Sequence, residues 1–431
     1  MTWVLLSLIL NNRIWLAAYC PQYSLLAFSL NKLTSKKKTI YMFKNLLPLF
    51  LIFTLGACST GQKSNEITSN EGKVEFEFLD SLVVESLSEL YLADKNENTS
   101  QLLFNERQMN ELIITDLEGK IISGFEPKGE GPDKVDSPLE VAFWEEGIVI
   151  KEMSSENKFY FFDRDFRKIA QSPALTKGLS FITIYNSNRS FSIYEKDGKS
   201  LILGQELNLL DEQLLTENSE NPLIYEKAEI GYIYDIDSED IKPINLYPKT
   251  WKPRLEQKWV GFKSSYIQVS KTDQKVAVLP SVGKELFFYN LDETGISLVS
   301  QISLSHPERN ENLLFDVKKE YFLYPQFTQL FSGGNYFLVE FYTEVPQDIY
   351  DSFRAKGEGY QNDPEYWETL QKHYKVKYIL TDKNGNQGAI SELPVPGVVH
   401  FIDRNDIVNI KPTSKTELDY NVFYRYQVTL N

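Results

Sequence analysis

Few side chains in this chain could do covalent or metal chemistry. Its 431 residues include two cysteines, Cys20 and Cys58, and three histidines, His306, His373 and His400. The histidines lie on separate segments without metal-ligand spacing. His400 sits in an alternating apolar run, as a satisfied core histidine would. No Gly-x-Ser-x-Gly elbow, His-Glu-x-x-His pair or phosphate-cradling glycine loop is present. Asp382 to Gln387 begins like a calcium loop, but Asn384-Gly385 between two apolar runs is a hairpin signal, and no glutamate closes the loop. Asp94 to Thr99 and Asp116 to Lys120 read as turns for the same reason. No catalytic residue is assigned, and the reading favours a binding protein over an enzyme.

Cys58 is different. From Met42 the chain runs through Lys44, an apolar stretch from Leu46 to Leu55, then Gly56-Ala57-Cys58. A basic start, a short apolar core and small residues before a cut are the layout of an export signal. The apolar run is shorter than the roughly 20 residues that a spanning helix needs. A cysteine directly after the small pair resembles the lipobox of bacterial lipoproteins, whose thiol carries lipid. The expected organisation is therefore 1–41 as a mis-called upstream extension, 42–57 as a lipoprotein signal peptide, and 58–73 as a flexible tether. The globular body follows over 74–431. Residues 59–73 are polar and cannot bury enough surface to offset their ordering entropy.

Cleavage at Cys58 alters the charge and the redox chemistry. Six of the 45 basic residues and none of the 60 acidic ones precede Cys58, so the remainder carries a net charge of −21. That sign repels phosphate backbones and excludes nucleic acid as a partner. With Cys20 removed and Cys58 lipidated, no thiol is left for a disulfide, a zinc site or a nucleophile.

The elements that must position any site are strands. Aromatic residues make up 13% of the chain, and short alternating runs of Tyr, Phe, Ile and Val are bounded by Asp, Asn and Gly. One pattern repeats: an aromatic or β-branched strand, an Asp or Asn turn, then a second short strand. It occurs in 111–123, 158–170, 230–245, 285–300 and 376–391, with a shortened copy in 421–431. Two further strands precede each copy, which makes a four-stranded antiparallel unit. Six such units, at about 79–126, 135–172, 178–248, 255–303, 322–393 and 395–431, predict an all-β, six-bladed β-propeller. The last unit lacks its outermost strand. Residues 73–79 alternate apolar and acidic, and are expected to close that blade from the N-terminal side.

Three stretches exceed what a blade needs: 204–229, 304–326 and 344–375. In the third, Asp363 can cap a helix and Pro364 suits its first turn, so one short helical insertion is expected there. Trp251, Arg254, Tyr324, Tyr342 and Trp367 lie in or near these stretches. They are the candidate ligand-binding residues, because aromatic and arginine side chains dominate interface hot spots. The Gly- and Pro-rich loop from Phe125 to Leu139 reads as a constrained connection between blades.

The lipobox, the polar tether, the Lys128–Lys134 loop and the aromatic-Asp turns together resemble the six-bladed propeller lipoproteins of Bacteroidetes. These are similar to TolB-like and NHL-like propellers, and one subgroup is classed as a domain of unknown function. The resemblance implies the fold and a cell-envelope location at the outer membrane, and it carries no catalytic residue across. The expected function is a lipid-anchored binding or scaffolding protein, attached to the membrane through Cys58, with a protein, peptide or glycan partner and no cofactor. The alternative is a metal-dependent lactonase-type hydrolase, with a divalent cation in the central channel.

Overall fold

In the computed structural model, two units are described. The first holds three antiparallel strands, Val4–Leu10, Arg13–Cys20 and Tyr23–Leu30. The second runs from Asn65 to Asn431. Residues 1–3, 11–12, 21–22, 31–64, 68–69, 107, 146, 177–188, 197, 210–219, 274, 293–294, 312, 314 and 414–417 lie outside the described residues. Cys58, the signal segment and most of the expected tether are among them.

The second unit is a six-bladed β-propeller. Blade 1 holds strands Leu90–Asn96, Gln101–Glu106, Leu112–Thr115 and Ile121–Phe125; blade 2 spans 138–171, blade 3 191–244, blade 4 265–303 and blade 5 326–390. Blade 6 combines Gly397–Ile402, Ile407–Pro412 and Asn421–Leu430 with Val74–Val84, so the ring is closed by the N-terminal strand as expected. The closing strand is longer than the 73–79 alternation. A register shift opposite Arg425 and Tyr426 lets the pairing continue to Val84.

Each blade is apolar on both faces because it is sandwiched between two neighbours. That is why the middle strands show no alternation. Gly147–Glu152 is buried at every position, as expected for a strand covered on both sides. The core divides into clusters lying between successive blades. Ala277, Leu286 and Phe288 meet Phe327, Val339 and Ile379 between blades 4 and 5, and Leu103, Ile114 and Phe162 pack between blades 1 and 2. First strands of neighbouring blades contact one another and line the centre of the ring.

The repeated Asp turns share one hydrogen-bond scheme. The Oδ1 atom of Asp163 accepts the amides of Asp165 and Arg167, both at 2.9 Å. Asp116 does the same for Glu118 and Lys120, and Asp382 for Asn384 and Asn386. In each of these loops the aspartate Oδ1 is used to hold a backbone turn, which explains why they resemble calcium loops.

Two outer edges gain a strand from the stretch read as tether. Asn65–Ile67 pairs in parallel with Ser300–Ile302 on blade 4, and Asn70–Glu71 pairs with Asn386–Gln387 on blade 5. An open sheet edge offers unpaired N–H and C=O groups to any nearby extended chain, so polar composition alone did not reveal this pairing.

Helices occur in the insertions and in the connection between blades 3 and 4. The expected one is Pro364–His373 (α4), capped by Asp363, whose side chain accepts the Glu365 amide at 3.0 Å. Three more were not anticipated: Ile224–Lys227 (α1), Lys252–Leu255 (α2) and Gln347–Arg354 (α3). None of these has a side-chain N-cap hydrogen bond, although α2 carries another start signal, Pro253 in its first turn.

Candidate functional site

The insertions of blades 3, 4 and 5 pool into one apolar layer. Tyr225 of α1, Tyr247 and Trp251 before α2, Phe315, Phe322 and Tyr324 of the 304–326 insertion, Tyr350 of α3 and Tyr366 of α4 belong to a single buried cluster. Rings fix its geometry. Tyr247 stacks on Trp251 at 5.2 Å and 13°, and Tyr225 meets Trp251 edge-on at 5.1 Å.

At the edge of this layer lies a cleft of about 100 Å³, room for several waters or a small organic group. Its apolar walls are Val260, Val282, Leu313, Phe315 and Tyr324; its polar groups are Lys258, Lys284, Glu285, Arg309 and Glu311, with the Lys252–Glu256 pair at the rim. These residues come from α2, the blade 4 hairpin around Gly283 and the 304–326 insertion. No short motif joins them, which is why sequence reasoning passed over Arg309, Lys258, Lys284 and Glu285.

The wall at Gly283 is held from two sides. The Trp251 indole donates to the Val282 carbonyl at 2.7 Å, and the Arg309 guanidinium donates through Nη2 to the Gly283 carbonyl. Gly283 has φ +118, and a Cβ there would lie 3.1 Å from the indole nitrogen and 3.2 Å from a Glu285 oxygen. The backbone conformation favours glycine, and the space beside it is tight.

Arg309 is the unusual group. It is 7% exposed and lies over the Phe327 ring at 4.4 Å, while its Nε and Nη1 atoms have no hydrogen-bond partner. Burial pushes its pKa down to about 10, against the pull of Glu311, Glu285 and Glu344. Burial also raises the Glu285 carboxyl, although the Lys284 amide donates to it at 3.1 Å. Behind the cleft, Lys263 lies 3.7 Å from the centre of the Phe315 ring, and burial lowers its pKa to about 8.

The five sequence candidates do not form one surface. Tyr324 lines the cleft, and Trp251 is fully buried and pins the cleft wall from behind. Arg254 turns away and donates to the Tyr247 carbonyl at 2.5 Å. Tyr342 stacks on Tyr374 at 4.4 Å, and the Trp367 indole donates to the Gln361 carbonyl at 2.8 Å. Aromatic character drew four of them into intramolecular packing.

The centre of the ring holds a separate charged cluster. Asp94 Oδ2 accepts Arg189 Nη1 at 2.8 Å and the Phe143 amide at 3.1 Å, and Lys95 pairs with Asp403 at 2.7 Å and Glu97 at 3.1 Å. Lys271 donates to the Ile402 carbonyl at 2.6 Å and lies over Phe401. Burial, then Arg189, lowers the Lys271 pKa to about 8, while Asp94, Asp403 and Glu97 oppose the shift. Carboxylates here meet lysine and arginine across blades 1, 3, 4 and 6. Among the described residues no three His, Cys, Asp or Glu side chains are grouped to hold a metal ion.

Ring and cleft together define a six-bladed propeller whose one-sided insertions build a small cleft. No protein-family model matches the sequence, and no curated protein matches it. Among solved structures, the chain is similar to a member of the DUF4221 family from Bacteroides vulgatus, at 12% identity and TM-score 0.60, over 84% of this chain and 100% of that one. It also aligns with a protein of Bacteroides fragilis provisionally described as exported, at 12% identity and TM-score 0.46, over 85% and 100% of the two chains. The first likeness shows the fold. No helix among the described residues is long and apolar enough to cross a membrane.

Proposed function

We propose that this chain is a non-catalytic, lipid-anchored binding protein of the cell envelope, at the outer membrane, which holds its ligand on the insertion-bearing side of the propeller. The observation that carries this reading is the cleft beside Arg309, set in a packed aromatic layer that six plain blades would not need. Preformed concave sites with apolar walls and a few aimed polar groups are where small ligands and chain ends bind. The anchor is the thiol of Cys58, supported by the basic, apolar and small-residue order before it.

The lactonase-type alternative needs carboxylates and amides free to converge on a cation at the channel. Here Asp94 and Asp403 are matched with Arg189 and Lys95, and Lys271 adds a further positive group. That arrangement favours binding over metal-assisted hydrolysis.

The test uses the full chain expressed in a bacterial host with labelled palmitate. Wild type is expected to incorporate label and fractionate with membranes, whereas Cys58→Ala incorporates none. Affinity capture with the wild-type chain should then recover an envelope partner. Label on the Cys58→Ala chain would overturn the anchor. Hydrolysis of lactones that depends on an added divalent ion would overturn the binding role.

A further inference from the structure

The cleft contains unmatched positive charge inside a strongly acidic protein. Of its cations, Lys252 has Glu256 beside it at 3.9 Å. Lys258, Lys284 and Arg309 make no ion pair within 4 Å among the described residues. Two carboxylates share the space. Glu311 is one, and Glu285, which burial pushes toward its neutral form, is the other.

A buried guanidinium with unused N–H groups is costly, because each unsatisfied buried donor forfeits its hydration. The Nε and Nη1 atoms of Arg309 are shut off from bulk solvent and no acceptor in the protein reaches them. An anion seated in the cleft, which Arg309 lines, would offset the charge of a guanidinium that is left without a carboxylate partner. The remaining walls, Val260, Val282, Leu313, Phe315 and Tyr324, are apolar or aromatic. They suit a hydrocarbon or ring next to the charge.

We infer that the cleft binds an apolar carboxylate, its charged end toward Arg309, Lys284 and Lys258 and its apolar body against Phe315, Tyr324 and Val282. The inference rests on the binding reading above and names its ligand class. Two sources share this chemistry: a free small organic acid, and the C-terminal carboxylate of a peptide ending in an apolar residue. Arginine suits the role because its planar fork of donors matches a carboxylate. The lysines at the cleft add attraction that salt screens.

Four probes test it on the full chain by fluorine and proton NMR: 4-fluorophenylacetate, its neutral amide, the peptide acetyl-Ala-Ala-Phe with a free carboxylate, and the same peptide amidated. At least one acid should bind about ten-fold or more tightly than its amide, a difference of about 1.4 kcal/mol. Lys284→Ala and Lys258→Ala should each weaken that acid by roughly two- to five-fold and reduce its salt dependence. Lys318→Ala, outside the cleft, should change nothing. Arg309→Gln should abolish binding, and the lysine variants keep the test valid if that chain folds poorly. Preference for the small acid or for the peptide identifies the source.

Equal binding of acid and amide would overturn the inference, as would acid binding insensitive to all three cleft substitutions or no acid binding at millimolar concentration. An envelope partner captured equally by wild type and Lys284→Ala would leave the broader binding role standing while this ligand class fell. Loss of both would remove both.

Discussion

His400 lies at the centre of the ring on the first strand of blade 6. Its Nδ1 accepts the Leu92 amide at 3.2 Å, and its ring stacks on Tyr91 at 5.1 Å. Burial, with Lys411 nearby, lowers its pKa from 6.5 to about 3; Glu89 lies 3.7 Å from that lysine. In the unfolded chain the imidazole takes up its proton near pH 6.5, while in the folded chain it stays neutral far below that. The unfolded state then binds more protons throughout the window. Stability present above about pH 6.5 is lost progressively as the pH falls toward about 3, at roughly 1.4 kcal/mol per pH unit. Urea unfolding at about pH 7.5 and about pH 5 should differ by about 2 kcal/mol from this group. His306 is lowered for the same reason and adds in the same direction. His400→Asn should flatten the dependence to the part left by His306. An unchanged slope would show that His400 is not the source. The core role of this histidine was readable from its apolar strand. The burial of Trp251 was not, because nothing in the residue type separates an indole facing solvent from one under Tyr225 and Tyr247.

At the scale of elements, the repeat that announced the blades is an aspartate turn with a defined job. Its first residue accepts two amides, and its fourth adopts a left-handed backbone: φ is +91° at Gly119, +58° at Phe166 and +88° at Gly385. Glycine fills that position at two of the three turns. Phe166 tolerates it while stacking on Phe125 at 4.8 Å and 2°, an attraction that offsets the roughly 1–2 kcal/mol cost of the left-handed region. Asp163→Ala removes both acceptor contacts and should lower stability by about 1–2 kcal/mol, whereas Asp163→Asn keeps an acceptor and should lose less than half of that. Chemical denaturation of the two variants beside wild type measures the difference. Equal loss in both would assign the effect to charge rather than to the turn. Strands were legible because Asp turns and β-branched or aromatic runs mark them locally. Helices α1 to α3 were not legible, because each starts without a side-chain cap and its apolar face is set by packing on distant insertions. The cleft was hidden for the same reason: Lys258, Gly283 and Arg309 converge only after blade 4 and its neighbouring insertion have folded.

At the scale of the whole molecule, the ring is held shut without a disulfide among the described residues, by a strand from one end of the propeller pairing with a strand from the other. Val74–Val84 pairs along its length with Asn421–Leu430, and Arg425 holds Asp80 across the seam. Leu82 and Val84 enter the cluster of Leu90, Phe401 and Phe423 between blades 6 and 1. Asn421 fastens the following turn, accepting the Leu90 amide at 2.9 Å and donating to the Ser88 carbonyl at 2.8 Å. This closure could be inferred from sequence because blade 6 counted one strand short while an alternating segment stood unclaimed before blade 1. Burying the Leu82 and Val84 side chains alone contributes about 3–6 kcal/mol, a large share of the 5–15 kcal/mol that typically separates folded from unfolded. A chain deleted for 74–84 should therefore lose its single cooperative melt and expose the faces of blades 6 and 1 to a hydrophobic dye. A synthetic peptide spanning 73–85, added in trans, should restore the melt, and a scrambled peptide should not. If the deleted chain melts as wild type does, the seam is not what holds the ring. If it stays open with the peptide present, the strand must be covalently connected to act, and its contribution lies in loop closure rather than in the pairing itself.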